Sequence, residues 1–333
     1  MPSNQTPLGA LPARFRRERV LIVGCGDVGL RVAGLHGGLQ SPRVRLMALS
    51  STPGRAPLLR SRGITPLAGN LDDPASLQRL AGLATRVVHM APPPSENNAL
   101  WWRDPRTAAL ARVLRLRTPP RSLVYGSTSG VYGDCEGEWV HEARPIAPST
   151  PRAQRRADAE SLLRHLGRAA GVRVTVLRIP GIYAQDRPGG TPLERLQRGT
   201  PVLTPEDDVF TNHIHADDLA RATQAALWHG RPQRVVNASD DTELKMGDYF
   251  DLAADLYGLS RPPRLPRSTA QSQLPLVLLS FMSESRRLVN QRMKQELRLS
   301  LRYPTVREGL GPAAPGAAPA TAPRTPVPPA TRS

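Results

Sequence analysis

Near the N-terminus the chain reads Gly24-Cys25-Gly26-Asp27-Val28-Gly29, three glycines spaced G-x-G-x-x-G directly after the apolar run "RVLIVG". A helical pattern follows, and in that frame each glycine has a task. Gly24 permits a tight turn, Gly26 lets a pyrophosphate approach the backbone, and Gly29 allows a helix to pack closely on the strand. The helix start adds free N–H groups and the positive end of its dipole, so residues 24–29 are predicted to bind the phosphates of a dinucleotide. Cys25 is expected to be a small loop residue, because placement at a helix start does not by itself make a thiol reactive. Roughly 20 positions beyond such a loop, an acid usually takes the ribose 2′-hydroxyl, or a basic residue takes a 2′-phosphate. Here "ALSSTPGR" offers Ser50, Ser51 and Arg55 with no carboxylate. That favours NADP(H); NAD(H) is the alternative if Arg55 merely faces solvent.

A second stretch, "PSTPRAQRRADAE" (Pro148 to Glu160), opens a predicted helix with Arg152, Arg155 and Arg156 in its first turns. Cations there oppose the helix dipole, and a guanidinium is too weak an acid to serve as a general base. Two readings stand side by side. A bound anion would offset the repulsion, or Asp158 and Glu160 would form helical ion pairs worth a few tenths of a kcal/mol. His213 and His215 have H-x-H spacing but no third ligand placed by sequence, so no metal site is predicted.

The bulk properties narrow the class. The formal net charge is +17, which invites a nucleic-acid partner, but lysine occurs only at 245 and 294. The arginines are scattered, without a dense basic run or interleaved aromatics for base stacking. An arginine-, alanine- and proline-rich composition is what GC-rich coding would produce, so no nucleic-acid partner is expected. No apolar run reaches the roughly 18–20 residues of a membrane helix, so no membrane partner is expected either. Two cysteines are too few for a disulfide framework in 333 residues. The expectation is a cytoplasmic protein, monomeric or homodimeric.

Residues 1–17 are expected to be a loose leader, and the Pro/Ala stretch 311–333 a disordered tail with nothing to bury. Between them, candidate strands are 19–24, 44–50, 86–91, 121–127 and 172–179, with 63–69 a weaker one. Helical patterns lie at Asp73–Leu83, Arg106–Leu116 and Arg152–Ala169. Apolar strands alternating with helices predict an α/β fold, a parallel sheet covered on both faces. After Pro180 the alternation breaks down. A helix near His215–Trp228, a strand at 234–239 and helices near Met246–Leu256 and Glu284–Leu297 suggest a smaller lobe. The expected division is therefore 18–180 for the nucleotide-binding domain and 181–310 for a substrate lobe interleaved with it.

Several segments occur in a characteristic order: "GCGDVG", "GNLDDPASL", "VVHMAPPP", "VYGSTSGVYGD", "LRIPGIYA" and "NHIHADDLARA". Together they resemble the extended and atypical short-chain dehydrogenase/reductase superfamily, in its NAD-dependent epimerase/dehydratase group, over about Arg19 to Leu310. The resemblance implies a doubly wound Rossmann sheet with a C-terminal substrate lobe, and a cleft between them. It places Asn70 and Leu71 at the adenine, and Met90, Ala91 and Pro92 where a strand end passes the cofactor ribose and phosphates. His89 is expected to pack. Thr128 stands at the position of a catalytic Ser, with Ser129 beside it toward substrate. Pro180 to Tyr183 fall near the nicotinamide, and His213 near the substrate lobe.

One departure is specific. Family members follow the Ser turn with a proton-transferring Tyr and, four residues on, a Lys that holds the nicotinamide ribose. Counting back from Glu160, those positions carry Arg152 and Arg156, and no Tyr or Lys occurs from Gly133 to Gly181. Arg156 could still bond ribose hydroxyls, but Arg152 cannot replace a phenol in proton transfer. Two functions follow. In the first, an epimerase or oxidoreductase draws its proton from Tyr132, Tyr183, His141 or His213, and the arginines bind an anionic substrate such as a nucleotide sugar or a carboxylate. In the second, the chain binds NADP(H) without turnover, as a regulatory or assembly protein.

Overall fold

Seven runs rich in Val, Ile and Leu form one sheet: β1 (Glu18–Val23), β2 (Val44–Ser50), β3 (Ile64–Ala68), β4 (Arg86–His89), β5 (Ser122–Thr128), β6 (Arg173–Ile179) and β7 (Arg234–Asn237). The order is β7-β6-β5-β4-β1-β2-β3, and every pairing is parallel. This computed structural model describes residues 17–36, 44–95 and 100–311. The strands are continuously apolar because both faces are buried. Along β1, Ile22 packs with Val28 and Val32 of helix α1 (Asp27–Gly34), and neighbouring Leu21 packs on the opposite side of the sheet. Helices α2 (Pro105–Leu114) and α3 (Pro151–Ala170) cover that opposite side through Leu110, Val113, Leu163 and Leu166. Helix α4 (Ala216–His229) joins α1 on the first. The strand order reverses at β1, and the crevice at such a switch point is where a doubly wound sheet binds its ligand.

The predicted strand at 234–239 belongs to the main sheet as β7, where Val235 pairs with Val176, and not to the smaller lobe. The chain thus leaves the sheet at Pro180, pairs 181–183 with 213–215, and returns through α4 to β7. The weak candidate at 63–69 is the edge strand β3. Two predicted helices differ. Asp73–Leu83 is a 3₁₀ helix over Pro74–Leu80, started by the Asp73 carboxylate accepting from the Ala75 N–H at 3.1 Å. Glu284–Leu297 is helical only over Gln291–Glu296, because Arg287–Leu288 pairs as a strand with Trp139–Val140. The lobe has its own core, including Leu196, Val202, Met246, Phe250, Val306 and Leu310. The expected leader and tail lie outside the described residues, apart from Arg17 and Gly311. No described helix is long and apolar enough to cross a membrane.

Helix α3 positions much of the candidate site. Thr150 caps it by accepting from the Ala153 N–H at 3.2 Å, Pro151 fills the first turn, and Gly171 ends it at φ +68°. Its buried face carries Ala153, Arg156, Glu160, Leu163 and Gly167, recurring every three or four residues. An ion pair lies inside that face. Arg178 on β6 donates from Nη2 and Nε to Glu160 at 2.7 and 3.2 Å, and both side chains are about 5% exposed or less. Ser127 of β5 adds a 2.6 Å bond to the same carboxylate. Arg178→Ala would strand a buried carboxylate and is expected to cost about 3–5 kcal/mol in urea unfolding. The paired replacement Glu160→Leu/Arg178→Met is expected to recover most of that loss.

Candidate functional site

At the C-terminal end of β1, Gly24 has φ +82°, and a Cβ there would lie 2.3 Å from the Ala91 nitrogen. Only glycine lets β1 and β4 end so close together. A Cβ on Gly29 would meet Gly24 O at 3.1 Å and the Ile22 methyl at 3.2 Å, which marks the close packing of α1 on β1. Gly26 differs from both, because its absent Cβ points into open space. It also precedes a helix start with no side-chain cap. Open space beside uncapped N–H groups fits a pyrophosphate.

Asp27 brings negative charge to this place, but Arg31 and Arg187 neutralise it at 3.1 and 2.9 Å. Val28 is buried beneath the loop. Burial pushes the Cys25 thiol up to about 11, with Arg55 opposing the shift, so the group stays protonated and unreactive at neutral pH. Arg55 folds back over the loop, its Nη2 donating to Cys25 O at 2.8 Å. Ser50 is half-buried and closes its own turn onto Thr52 O, while Ser51 is exposed.

The remaining cofactor candidates lie along neighbouring strand ends. Asn70 is exposed and its side-chain oxygen accepts from the Asp72 N–H at 3.1 Å, with Leu71 half-buried beside it. Met90 packs its sulfur over Gly126, where a Cβ would come within 2.5 Å. Ala91 is buried, Pro92 exposed and Pro180 half-buried at the end of β6.

The arginines of α3 divide sharply. Arg156 is buried, and its Nη1 donates to Gly126 O at 2.6 Å, Tyr125 Oη at 3.1 Å and Ala91 O at 3.3 Å. It therefore ties the ends of β4 and β5 together from the position expected for the Lys. Arg155 is also buried and donates to Trp101 O at 2.9 Å. Arg152 is exposed and has no hydrogen-bond acceptor among the described residues. The expected helical ion pairs do not form: Asp158 accepts from the Asp104 N–H at 2.8 Å, and Glu160 is taken by Arg178.

The candidate proton sources are mostly turned away from the strand ends. Tyr132 is 1% exposed, donates to Asn237 Oδ1 at 2.7 Å and lies under the Arg178 guanidinium, and burial raises its pKa. Tyr183 donates to Thr305 O at 3.2 Å, and burial raises its pKa as well. His213 packs against Tyr249 at 4.2 Å, and burial lowers its pKa to about 3. His141 is exposed. His89 packs as expected, bonded to Thr107 at 2.9 Å, with its pKa driven down to about 3 by burial and then by Arg156. Thr128 is half-buried and accepts from the Gly130 N–H at 3.2 Å, while Ser129 is buried. No group of three or more metal-binding side chains occurs among the described residues.

Sequence reasoning missed Arg178, Asn237 and Asp240. Arg178 carried one signal, a lone charge in the apolar run "VTVLRI". Asp240 is buried, with its Oδ2 unpartnered, and burial raises its pKa from 3.8 to about 7.

A parallel sheet in this order, with a glycine loop at its switch point, defines a Rossmann-type dinucleotide-binding protein. The model of the NAD dependent epimerase/dehydratase family matches residues 33–239, and the chain belongs to that family. Among curated relatives, a UDP-glucose 4-epimerase of Azospirillum brasilense is 31% identical over 137 residues, 35% of this chain and 39% of that enzyme. The chain thus aligns with well under half of that relative's length. A functionally unknown conserved protein from Silicibacter pomeroyi DSS superposes with TM-score 0.71 and 28% identity, over 88% of this chain and 96% of that one. A UDP-glucuronic acid 4-epimerase from Bacillus cereus in complex with NAD gives TM-score 0.68 at 15% identity over the same shares, a likeness of fold.

The raised Asp240 pKa has a defined sign. Between pH 3.8 and about 7 the folded protein holds a proton that the unfolded chain has lost. Stability is therefore expected to fall as pH rises through that window. Asp240→Asn should flatten this part of a thermal-unfolding pH profile; an unchanged slope would assign it elsewhere.

Proposed function

We propose that the chain binds NADP(H) on the glycine loop and takes an anionic small molecule of the nucleotide-sugar class in the adjoining cleft. It works there as an epimerase/dehydratase-type oxidoreductase without the tyrosine relay. The observation that carries the reading is the open cradle at Gly26 beside an uncapped helix start. Family membership and the nucleotide-sugar enzymes among its relatives support the substrate class. Arg55, over the loop beside a carboxylate-free strand end, supports the 2′-phosphate form. Met90, Ala91 and Pro180 would flank the cofactor from the strand ends, and Thr128 would offer a hydroxyl to a substrate oxygen. When bound, the nicotinamide supplies hydride exchange. Arg152, an exposed cation without an acceptor among the described residues, would hold the anionic part of the substrate. Both cysteines are free, which suits the cytoplasm.

A second reading, cofactor binding without turnover, is favoured by the commitment of Arg156 to two backbone carbonyls and by the burial of both tyrosines. Fluorescence titration with NADPH separates the parts. Wild type is expected to bind saturably and Gly26→Val to lose binding. Arg55→Ala should weaken NADPH by about 10-fold or more while leaving NADH nearly unchanged. A panel of nucleotide sugars then decides turnover. With activity present, Arg152→Ala should raise KM about tenfold; tight NADPH binding with no turnover on any of them would establish the second reading.

A further inference from the structure

Away from the cofactor crevice, the flank of α3 and the start of the edge strand β7 border an open cavity of about 630 Å³. Its walls carry Arg144, Arg164, Arg168, Arg178, Arg234 and Arg292, against only Glu142 and Glu160. Three of the arginines are held at its rim by protein partners. Arg144 bonds Glu138, Arg234 bonds Glu296, and Arg292 donates to Val235 O at 2.8 Å. Arg164 and Arg168 are different. They are exposed, have no acceptor among the described residues, and stand one turn apart on α3. Like charges at that spacing repel. The helix dipole favours a cation only in the last turn, so it accounts for Arg168 and not for Arg164.

Arg178 and Glu160 offset each other in the wall. Arg178 is 4% exposed, uses Nε and Nη2 on Glu160 and lies over the Tyr132 ring, so the uncompensated charge is that of Arg164 and Arg168. None of the lining side chains is aromatic, so nothing there would stack a base, while guanidinium forks suit phosphate oxygens. The volume is that of a small-molecule site.

We propose that this cavity is an anion site, separate from the cofactor loop, for a small molecule bearing two or more phosphate groups. Arg164 and Arg168 grip it from the helix, among walls that carry six arginines against two glutamates.

The test is calorimetric titration of the full chain with inorganic diphosphate at low ionic strength. Saturable binding is expected, including a site that persists when the glycine cradle is blocked. Arg164→Glu/Arg168→Glu, which changes exposed side chains only, should weaken it at least about tenfold. Arg112→Glu/Arg115→Glu, an equal charge change at exposed positions at the C-terminal end of α2, should leave the affinity of that site within about twofold, as should Gly26→Val, which blocks the glycine cradle. Equal weakening by both double variants would show a general effect of net charge and overturn the proposal. Loss of binding in Gly26→Val alone would assign the diphosphate to the cofactor loop and overturn it too, as would no saturable binding in wild type. Binding of an acidic peptide or an oligonucleotide, but not diphosphate, would replace the small molecule with a macromolecular partner.

Discussion

The buried contact of Glu160 with Arg178 fixes α3 against the sheet, and the site depends on that docking. Two charges inside a low-dielectric interior are tolerated only when their hydrogen bonds are well made. Here the carboxylate collects both Arg178 bonds and the Ser127 hydroxyl. With Glu160 held, the helix cannot roll. Arg156, one turn earlier on the same face, then enters the strand ends, while Arg152, in the first turn of the helix, is exposed. The burial that makes the ion pair costly to break also holds Arg156 in its structural contacts.

Arg156 gives the site its particular character. A lysine there would present a compact ammonium on a flexible stem, whereas the guanidinium is a fixed fork that fits several acceptors at once. It collects the carbonyls of Ala91 and Gly126 and the Tyr125 hydroxyl, closing the ends of two adjacent strands. At the position expected for a lysine, the chain thus carries a group with a different task. The glycine loop supplies none of the acceptors of Arg156, so the proposed cofactor cradle does not depend on what stands at positions 152 and 156.

Much of this was legible in the sequence. The G-x-G-x-x-G spacing after an apolar strand carries its own geometry, because each glycine answers a local backbone demand. The sheet strands were visible because continuous apolar runs need burial on both faces. The strand predicted at 234–239 reads as part of the lobe because chain order hides that it pairs with Arg173–Ile179 across a long excursion. The fates of Arg152 and Arg156 were equally hidden. Both look alike as charges at a helix start, and only their places along the helix relative to the strand ends separate them. Tyr132 looked available for chemistry because a phenol beside a glycine turn gives no hint of Asn237, more than a hundred residues away, which takes its hydroxyl.

The most direct test is a crystal structure of the chain grown with NADP⁺. The account expects the pyrophosphate against the backbone at Gly26 and the start of α1. It also expects Arg55 at the 2′-phosphate and Arg156 still bonded to the carbonyls of Ala91 and Gly126. A cradle left empty at saturating NADP⁺, or an Arg156 swung out to the nicotinamide ribose, would contradict it.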